Sequence, residues 1–242
     1  MIKKPKLTVT SIIISSLITL LIPLFTPKSQ QIILSPDPIA SQTLDQADLE
    51  RTRQVIVGRL SALDIPGWPR AKLKDRSIVI NISESADETK VIQTLTSIGE
   101  LELIDTGVEF PQIRADYRIR TGPIADPDQN IYQSLLTNAD FVQAKPLQPK
   151  SDNFGLEITL TPQSAARLAD FLANRHGIYL CLVQDKAIIG CPIVKLNGHQ
   201  LEIRQGPTDM LVDDATLNGY INAGILPVPL MTTQTTAHAE GR

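Results

Sequence analysis

The sequence predicts an α+β protein: two small domains behind one N-terminal membrane-spanning helix. Three observations carry this. A run of 19 uncharged residues, LTVTSIIISSLITLLIPLF, extends from Leu7 to Phe25. Apolar residues at helical spacing then alternate with short runs rich in Val, Ile and Leu, the pattern of helices packed on sheets. Finally, residues 178–194 read IYLCLVQDKAIIGCPIV, two apolar runs split by the polar pair Asp185-Lys186, with a helical pattern on either side at 163–174 and about 211–223. Such short split runs are a β-hairpin, and neither arm alternates with polar residues, so both faces are covered.

Composition narrows the function classes. The chain has 242 residues, 42% of them apolar and 20% charged, enough to bury a core in one or two domains and too apolar for a disordered chain. The net charge is −3. Four of the basic residues, Lys3, Lys4, Lys6 and Lys28, precede the body, which is left at about −7. A mildly acidic body argues against nucleic acid or anionic lipid as a partner, since both attract Lys and Arg.

The run at 7–25 approaches the ~20 residues a helix needs to cross hydrocarbon. Lys3, Lys4 and Lys6 keep residues 1–6 cytoplasmic, which sends everything after Phe25 outward and makes the protein a single-pass component of the cell membrane. A cleaved signal peptide is the competing reading. Against it, the run is longer than the usual ~7–15 residues and no A-x-A site follows closely. Residues 26–42, with Pro27, Pro36 and Pro38 among small polar residues, are expected to be a linker, and 231–242 a disordered polar tail.

Residues 43–106 form the first expected domain. Thr43 and Gln46 fit a capping box, and Leu49, Ile56, Leu60 and Leu63 share a helix face that ends near Pro66-Gly67. Arg51, Arg53 and Arg59 on that helix, offset by nearby acids, are expected on its solvated side. A hairpin follows, 72–74 with 77–82, whose Ile78, Ile80 and Ile82 face one way. Ser85 and Glu88 cap a second helix carrying Val91, Leu95 and Ile98, stopped by Gly99. Residues 100–104 alternate as a strand. Helix, hairpin, helix and strand make half of a ferredoxin-like sandwich. Residues 107–134 are expected to be an irregular connection.

The second domain spans 135–230. Residues 156–160 alternate as a strand and run into Thr161-Pro162, an N-cap followed by proline at the first helical position. The hairpin holds both cysteines, Cys181 and Cys191. A three-residue loop sets them face to face, whereas a two-residue loop pairs Cys181 with Gly190 and turns Cys191 to the other face. Disulfide and two buried thiols both remain open.

Here the sequence resembles a known family. LERTRQVIVGRLSALDI at 49–65 and ETKVIQTLTSIGELELI at 88–104 are similar to the start of the large periplasmic region of SecD, the protein-export membrane subunit. Leu135-Leu136-Thr137-Asn138-Ala139-Asp140 resembles the opening of the SecD head. The strand at 156–160, Thr161-Pro162, the hairpin with Asp185 and Pro192, the turn at Asn197-Gly198 with the strand 201–203 and Gly206, and the closing Gly224-Ile225-Leu226-Pro227-Val228-Pro229 follow in the family's order. The resemblance covers about 49–230, with 113–134 unassigned. It implies a SecD base domain followed by a head. The partners it implies are unfolded secretory polypeptide and the Sec channel with its ancillary membrane subunits, besides the membrane at 7–25. The family's Leu-Asp-Leu-x-Gly-Gly stretch is missing, and its five later membrane helices, which carry a proton pathway, have no counterpart here. A single uncharged helix conducts no protons. An envelope scaffold that uses the head fold outside export is the alternative reading.

Nothing in the sequence demands catalysis or a cofactor. His176, His199 and His238 lack ligand-spaced partners, and Asp213-Asp214 and Asp126/Asp128 lack the oxygen-rich loop of a calcium site. No nucleophile motif or glycine-rich phosphate loop occurs. Trp68, between Pro66 and Pro69, is expected to pack the end of the first helix. Catalytic, metal and cofactor residues are therefore expected to be none, and client-binding residues stay unassigned.

Overall fold

A computed structural model describes residues 29–39, 44–67, 69–111, 113–114, 116–147, 154–207 and 209–238. The expected anchor at 7–25, Thr43 and Trp68 lie outside the described residues. Among the described residues, no helix is long and apolar enough to cross a membrane.

The first lobe is built from β1 (Ser29–Pro36), α1 (Gln46–Ala62), β2 (Arg70–Lys74), β3 (Ser77–Ser83), α2 (Glu88–Thr96) and, near the other end of the chain, β13 (Leu230–His238). Its sheet runs β13-β1-β3-β2, every neighbour antiparallel. Strand–helix–strand–strand–helix–strand in this order is the complete ferredoxin-like arrangement, with everything between α2 and β13 inserted into it. Ile32, Leu34, Ile78, Ile80 and Ile82 of the sheet meet Ile56, Leu60, Val91 and Leu95 of the helices in one core. Burying each such side chain stabilises by roughly 1.5–3 kcal/mol.

Two expectations are corrected here. Residues 29–36 of the expected linker are a central strand, and 231–238 of the expected tail, with Leu230 before them, are its neighbour. β1 carries only Ile32 and Leu34 fully into the core, and β13 is threonine-rich and held mainly by backbone pairing. Neither announces itself by hydrophobic pattern. The helix caps shift as well. Asp45, not Thr43, caps α1 in a box with Asp48, and Asp87, not Ser85, caps α2 through the Lys90 amide at 3.0 Å.

The inserted lobe holds two sheets. One runs β10-β9-β4-β6-β5, from β4 (Leu101–Asp105), β5 (Arg120–Gly122), β6 (Ile131–Thr137), β9 (Leu180–Gln184) and β10 (Ala187–Gly190). The other runs β11-β12-β8-β7, from β7 (Phe141–Pro146), β8 (Gly155–Leu160), β11 (Ile193–Asn197) and β12 (Gln200–Arg204). Helices α3 (Pro162–Ala173) and α4 (Asp214–Ala223) complete it. Leu101, Leu103, Leu136, Ile158, Leu168, Leu201 and Leu217 belong to its main core.

β4, read from sequence as the last strand of the first domain, instead lies between β9 and β6. Leu101 to Ile104 are all buried, as in a strand covered on both faces. The expected irregular stretch 107–134 contains β5 and the start of β6. The second hairpin arm is shorter than expected: it ends at Gly190, and after Pro192, which lacks an amide donor, residues 193–197 join the other sheet.

The hairpin turn has two residues, Asp185 and Lys186, both at positive φ (49° and 65°), the twist a tight hairpin requires. Gln184 pairs with Ala187 and Val183 with Ile188, after which the register slips so that Leu182 pairs with Gly190. That one-residue bulge at Ile189 cancels the offset a two-residue loop would impose. Cys181 and Cys191 therefore meet, and they are joined by a disulfide with Cα atoms 4.0 Å apart.

The lobes join around Arg59. Expected on a solvated face, it is 0% exposed. Its guanidinium donates to Thr94 O (3.0 Å), Ser97 O (2.5 Å), Ile98 O (2.7 Å) and Gly224 O (2.9 Å). These carbonyls end α2 and α4, where helix dipoles favour a cation. α1 and α4 come close because Gly58 faces Ala223 and Gly219 faces Ala62; a Cβ on Gly58 would lie 2.7 Å from that of Ala223.

Candidate functional site

β6 is only partly covered. β5 runs parallel to it beside Ile131, Tyr132 and Gln133 and then turns away at Pro123. Residues 134–137 have β4 on one side and, among the described residues, no strand on the other. A cleft of about 650 Å³ opens along this free stretch, between β6, β5 and α3. Its apolar wall is Leu135 of β6 with Leu168 and Phe171 of α3.

Helix α3 is aimed by its cap. Thr161 Oγ1 accepts the Ser164 amide at 3.2 Å, and Pro162 presets the first turn. Residues 167, 168 and 171 then fall on neighbouring rows of one face. Arg167 Nη2 lies 2.8 Å from Asp140 Oδ1 and 3.4 Å from Leu135 O. Asp140 ends a 3-10 turn after β6, and its carboxylate also accepts the Thr137 amide at 2.7 Å and the Ser164 hydroxyl. Burial pushes the Asp140 carboxyl up, but the hydrogen bonds from Ser164, Thr137 and Arg167, with the Arg167 charge, outweigh it and hold the group below its ordinary value.

The other wall is the hairpin tip. Lys186 Nζ reaches Glu102 Oε1 at 2.5 Å, Thr121 Oγ1 at 3.1 Å and Glu100 Oε1 at 3.3 Å. Thr121 Oγ1 also donates to Glu102 Oε1 at 2.9 Å, so the buried carboxylate is paired and hydrogen-bonded, as a buried charge must be. Burial pushes the Lys186 ammonium down, and Glu102 and Glu100 more than offset this, leaving it raised. The tip is fastened from behind. Asp185 Oδ1 accepts the Glu100 amide at 2.9 Å, its Oδ2 bonds the Ser97 hydroxyl, and the Lys186 carbonyl accepts the Ile119 amide at 2.8 Å, just before β5.

A smaller groove, about 320 Å³, lies beside the disulfide cluster and is lined by Tyr117, Ile119, Tyr132 and Ile188 with Pro111 and Arg114.

The sequence-stated candidates are placed as follows. Asp213 caps α4 through the Thr216 amide at 2.8 Å and pairs with Lys90. Asp126 caps the 3-10 turn Pro127–Gln129. His176 and His199 are exposed. Among the described residues, no three His, Cys, Asp or Glu side chains gather as a metal site. Arg167, Asp140, Glu102 and Lys186 were not singled out by sequence as a site. One signal was available for Glu102, a lone acid inside the apolar strand 101–104.

Fold and cleft define a ferredoxin-like lobe interrupted by a larger α+β lobe with a partly open sheet edge. No family model matches the sequence. The chain is 24% identical over 263 aligned positions to the protein translocase subunit SecD of Thermobaculum terrenum, covering 83% of the chain and 50% of that protein. It is 24% identical over 226 positions to the protein translocase subunit SecDF of Thermus thermophilus, covering 84% of the chain and 29% of that protein. The crystal structure of SecDF in its super-membrane-facing form matches with a TM-score of 0.57 at 20% identity, over 94% of this chain and 35% of that one. A structure of SecDF described as a membrane component that enhances protein export matches with a TM-score of 0.50 at 18% identity, over 84% of this chain and 98% of that one. The chain spans half or less of the length of the curated relatives it matches. By these likenesses the body of the chain is similar to part of SecD and SecDF, and it shares the fold of the matching SecDF region.

Proposed function

We propose that this protein assists Sec-dependent protein export by transiently holding unfolded polypeptide outside the cytoplasm, anchored by the segment at 7–25. Likeness to SecD and SecDF supports the link to export. The observation that carries the binding step is the cleft of about 650 Å³ along residues 134–137. Because the Leu135 carbonyl and the Thr137 amide are already engaged by Arg167 and Asp140, an extended client is held chiefly by side-chain contacts in this groove rather than as a full added strand. Leu135, Leu168 and Phe171 supply an apolar wall for alternate side chains of the client. Contacts of this kind tolerate many client sequences with modest preferences and release readily, as handing on an emerging chain requires. The channel and its ancillary membrane subunits are the partners that would present the client.

The test uses the full chain in lipid nanodiscs, titrated into a fluorescent, permanently unfolded secretory protein and into its folded form, followed by anisotropy. Micromolar binding of the unfolded form alone, weakened in Phe171→Ser, is the expected result. No binding of either form would overturn the holding role and favour an envelope scaffold.

A further inference from the structure

We propose, on the footing that the cleft holds extended polypeptide, that it selects segments in which a carboxylate stands beside an apolar residue, and that Arg167 is the specificity-determining residue. Two acids and two bases line the cleft, so its formal charge is balanced, but the two signs are placed differently. The Asp140 and Glu102 side chains are 14% and 6% exposed, whereas Arg167 and Lys186 are 52% and 39% exposed. The acids are turned inward and occupied by Thr137, Ser164 and Thr121. A client in the cleft therefore meets cations.

The two cations differ in what they have left to give. Lys186 has three donors, and its three contacts with Glu100, Glu102 and Thr121 occupy them. Arg167 has five, and its bonds to Asp140 and Leu135 both leave from Nη2. Its Nε and Nη1 donors point to opposite sides of the guanidinium, so this exposed cation takes a client carboxylate through a single charge-assisted hydrogen bond rather than a fork. Arg175, just past the C-cap of α3, stands over the Phe171 ring at 5.7 Å. Residues two apart in an extended client project to the same side. A carboxylate two positions from an apolar residue would thus face Arg167 while the apolar side chain meets Phe171. A lysine in its place would face a like charge that is more exposed than the carboxylate pairing it.

The experiment uses three fluorescent peptides of Ser, Thr and Gly with one central Leu, differing only in whether Glu, Gln or Lys stands two positions from it. They are titrated against the full chain in nanodiscs of neutral lipid. The Glu peptide is expected to bind about threefold to fivefold more tightly than the Gln peptide at low salt, and the Lys peptide more weakly than either. The preference is expected to vanish in Arg167→Gln, to survive in Arg167→Lys and to shrink as salt rises. Equal affinities for all three peptides overturn the selectivity and leave the holding role standing. Equal selectivity in Arg167→Gln overturns the role given to Arg167. If neither the peptides nor the unfolded protein bind, the holding role itself falls, and this inference with it.

Discussion

The Arg59 guanidinium lies 4.7 Å from the centroid of the Tyr220 ring, so an arginine of the first lobe's α1 stacks on a tyrosine of the inserted lobe's α4. Together with the bonds to Thr94, Ser97, Ile98 and Gly224, this makes one buried cation the junction of three chain segments. The cost is visible in its proton affinity. Burial lowers the Arg59 pKa to about 10, against weaker raising effects of Tyr220 and Asp185. No carboxylate bonds it directly. Carbonyl dipoles and an aromatic face carry the compensation.

Removing that cation takes a donor from four inward-facing carbonyls, of which Ile98 O keeps the Leu226 amide at 2.9 Å. Arg59→Met is expected to lower stability by about 3 kcal/mol or more, measured by urea unfolding. Arg59→Lys, with three donors and no planar fork, should recover only part of this. A loss within about 0.5 kcal/mol, the range of ordinary surface positions, would show that the junction is held elsewhere.

Gly99 tests the same junction sterically. Its φ is +81°, and a Cβ there would lie 2.3 Å from Arg59 Nη2 and 3.1 Å from the Tyr220 ring. Gly99→Ala should destabilise by about 2 kcal/mol. Combined with Arg59→Met, the two losses should add to clearly less than their sum, because the clash disappears with the arginine. Full additivity in a double-mutant cycle would mean that backbone strain alone accounts for the effect.

Arg59 also illustrates how far the sequence could be read. The face of α1 was legible from Leu49, Ile56, Leu60 and Leu63. Arg59 falls on it too, seven residues after Thr52 and three after Ile56, and both of those are buried. Charge composition argued for solvent, and periodicity argued for burial; periodicity was the better guide, because the neighbouring helix ends supply carbonyls that no sequence pattern displays. The hairpin, Thr161-Pro162 and the helical run at 163–174 were legible because each rests on contacts within a few residues. β1 and β13 were not, since each depends on a partner some two hundred residues away. The cleft was hidden for the same reason. Glu102 and Lys186, or Asp140 and Arg167, are brought together only by sheet order and helix placement.

The β1 assignment has a practical consequence. A chain shortened to begin at Gln42 lacks β1, the strand between β13 and β3. It loses Ile32 and Leu34 from the core, leaves β13 without a neighbour and leaves β3 paired only with β2. Such a chain is expected to show no cooperative unfolding of the first lobe and rapid amide exchange in β3, whereas one beginning before Ser29 should unfold cooperatively and keep β3 protected. Exchange protection at Ile78, Ile80 and Ile82 is the measurement, and unchanged protection without β1 would refute the pairing.

The disulfide closes the hairpin on itself over a sequence separation of 10 residues. Replacing Cys181 and Cys191 by alanine is expected to cost about 2–3 kcal/mol by the loop-entropy account, read from the urea midpoint. Client binding should fall by less, because the hairpin tip is held separately by the Asp185 contacts with Ser97 and Glu100. A double variant as stable as the parent would show that the bulged register is fixed by packing alone.

Asp140 gives the sign of one acid-range dependence. Its folded pKa lies below the ordinary value, despite burial, because Ser164, the Thr137 amide and Arg167 all favour the charged form. The stabilisation it contributes is therefore fully present above the unfolded carboxylate value of about 3.9 and is lost as pH falls through the folded one. Asp213, held low by Lys90 and the Thr216 contacts against the effect of burial, behaves alike and sets a background that does not involve the cleft. Stability should thus decline below about pH 4. In Asp140→Asn the decline should be shallower, since one of the linked protons is gone, while in Asp213→Asn the slope should lessen without any change in peptide binding. Parallel stability–pH curves for the parent and Asp140→Asn, measured by urea unfolding between neutral pH and the acid limb, would show that the contacts of Ser164, Thr137 and Arg167 do not hold Asp140 in its charged form.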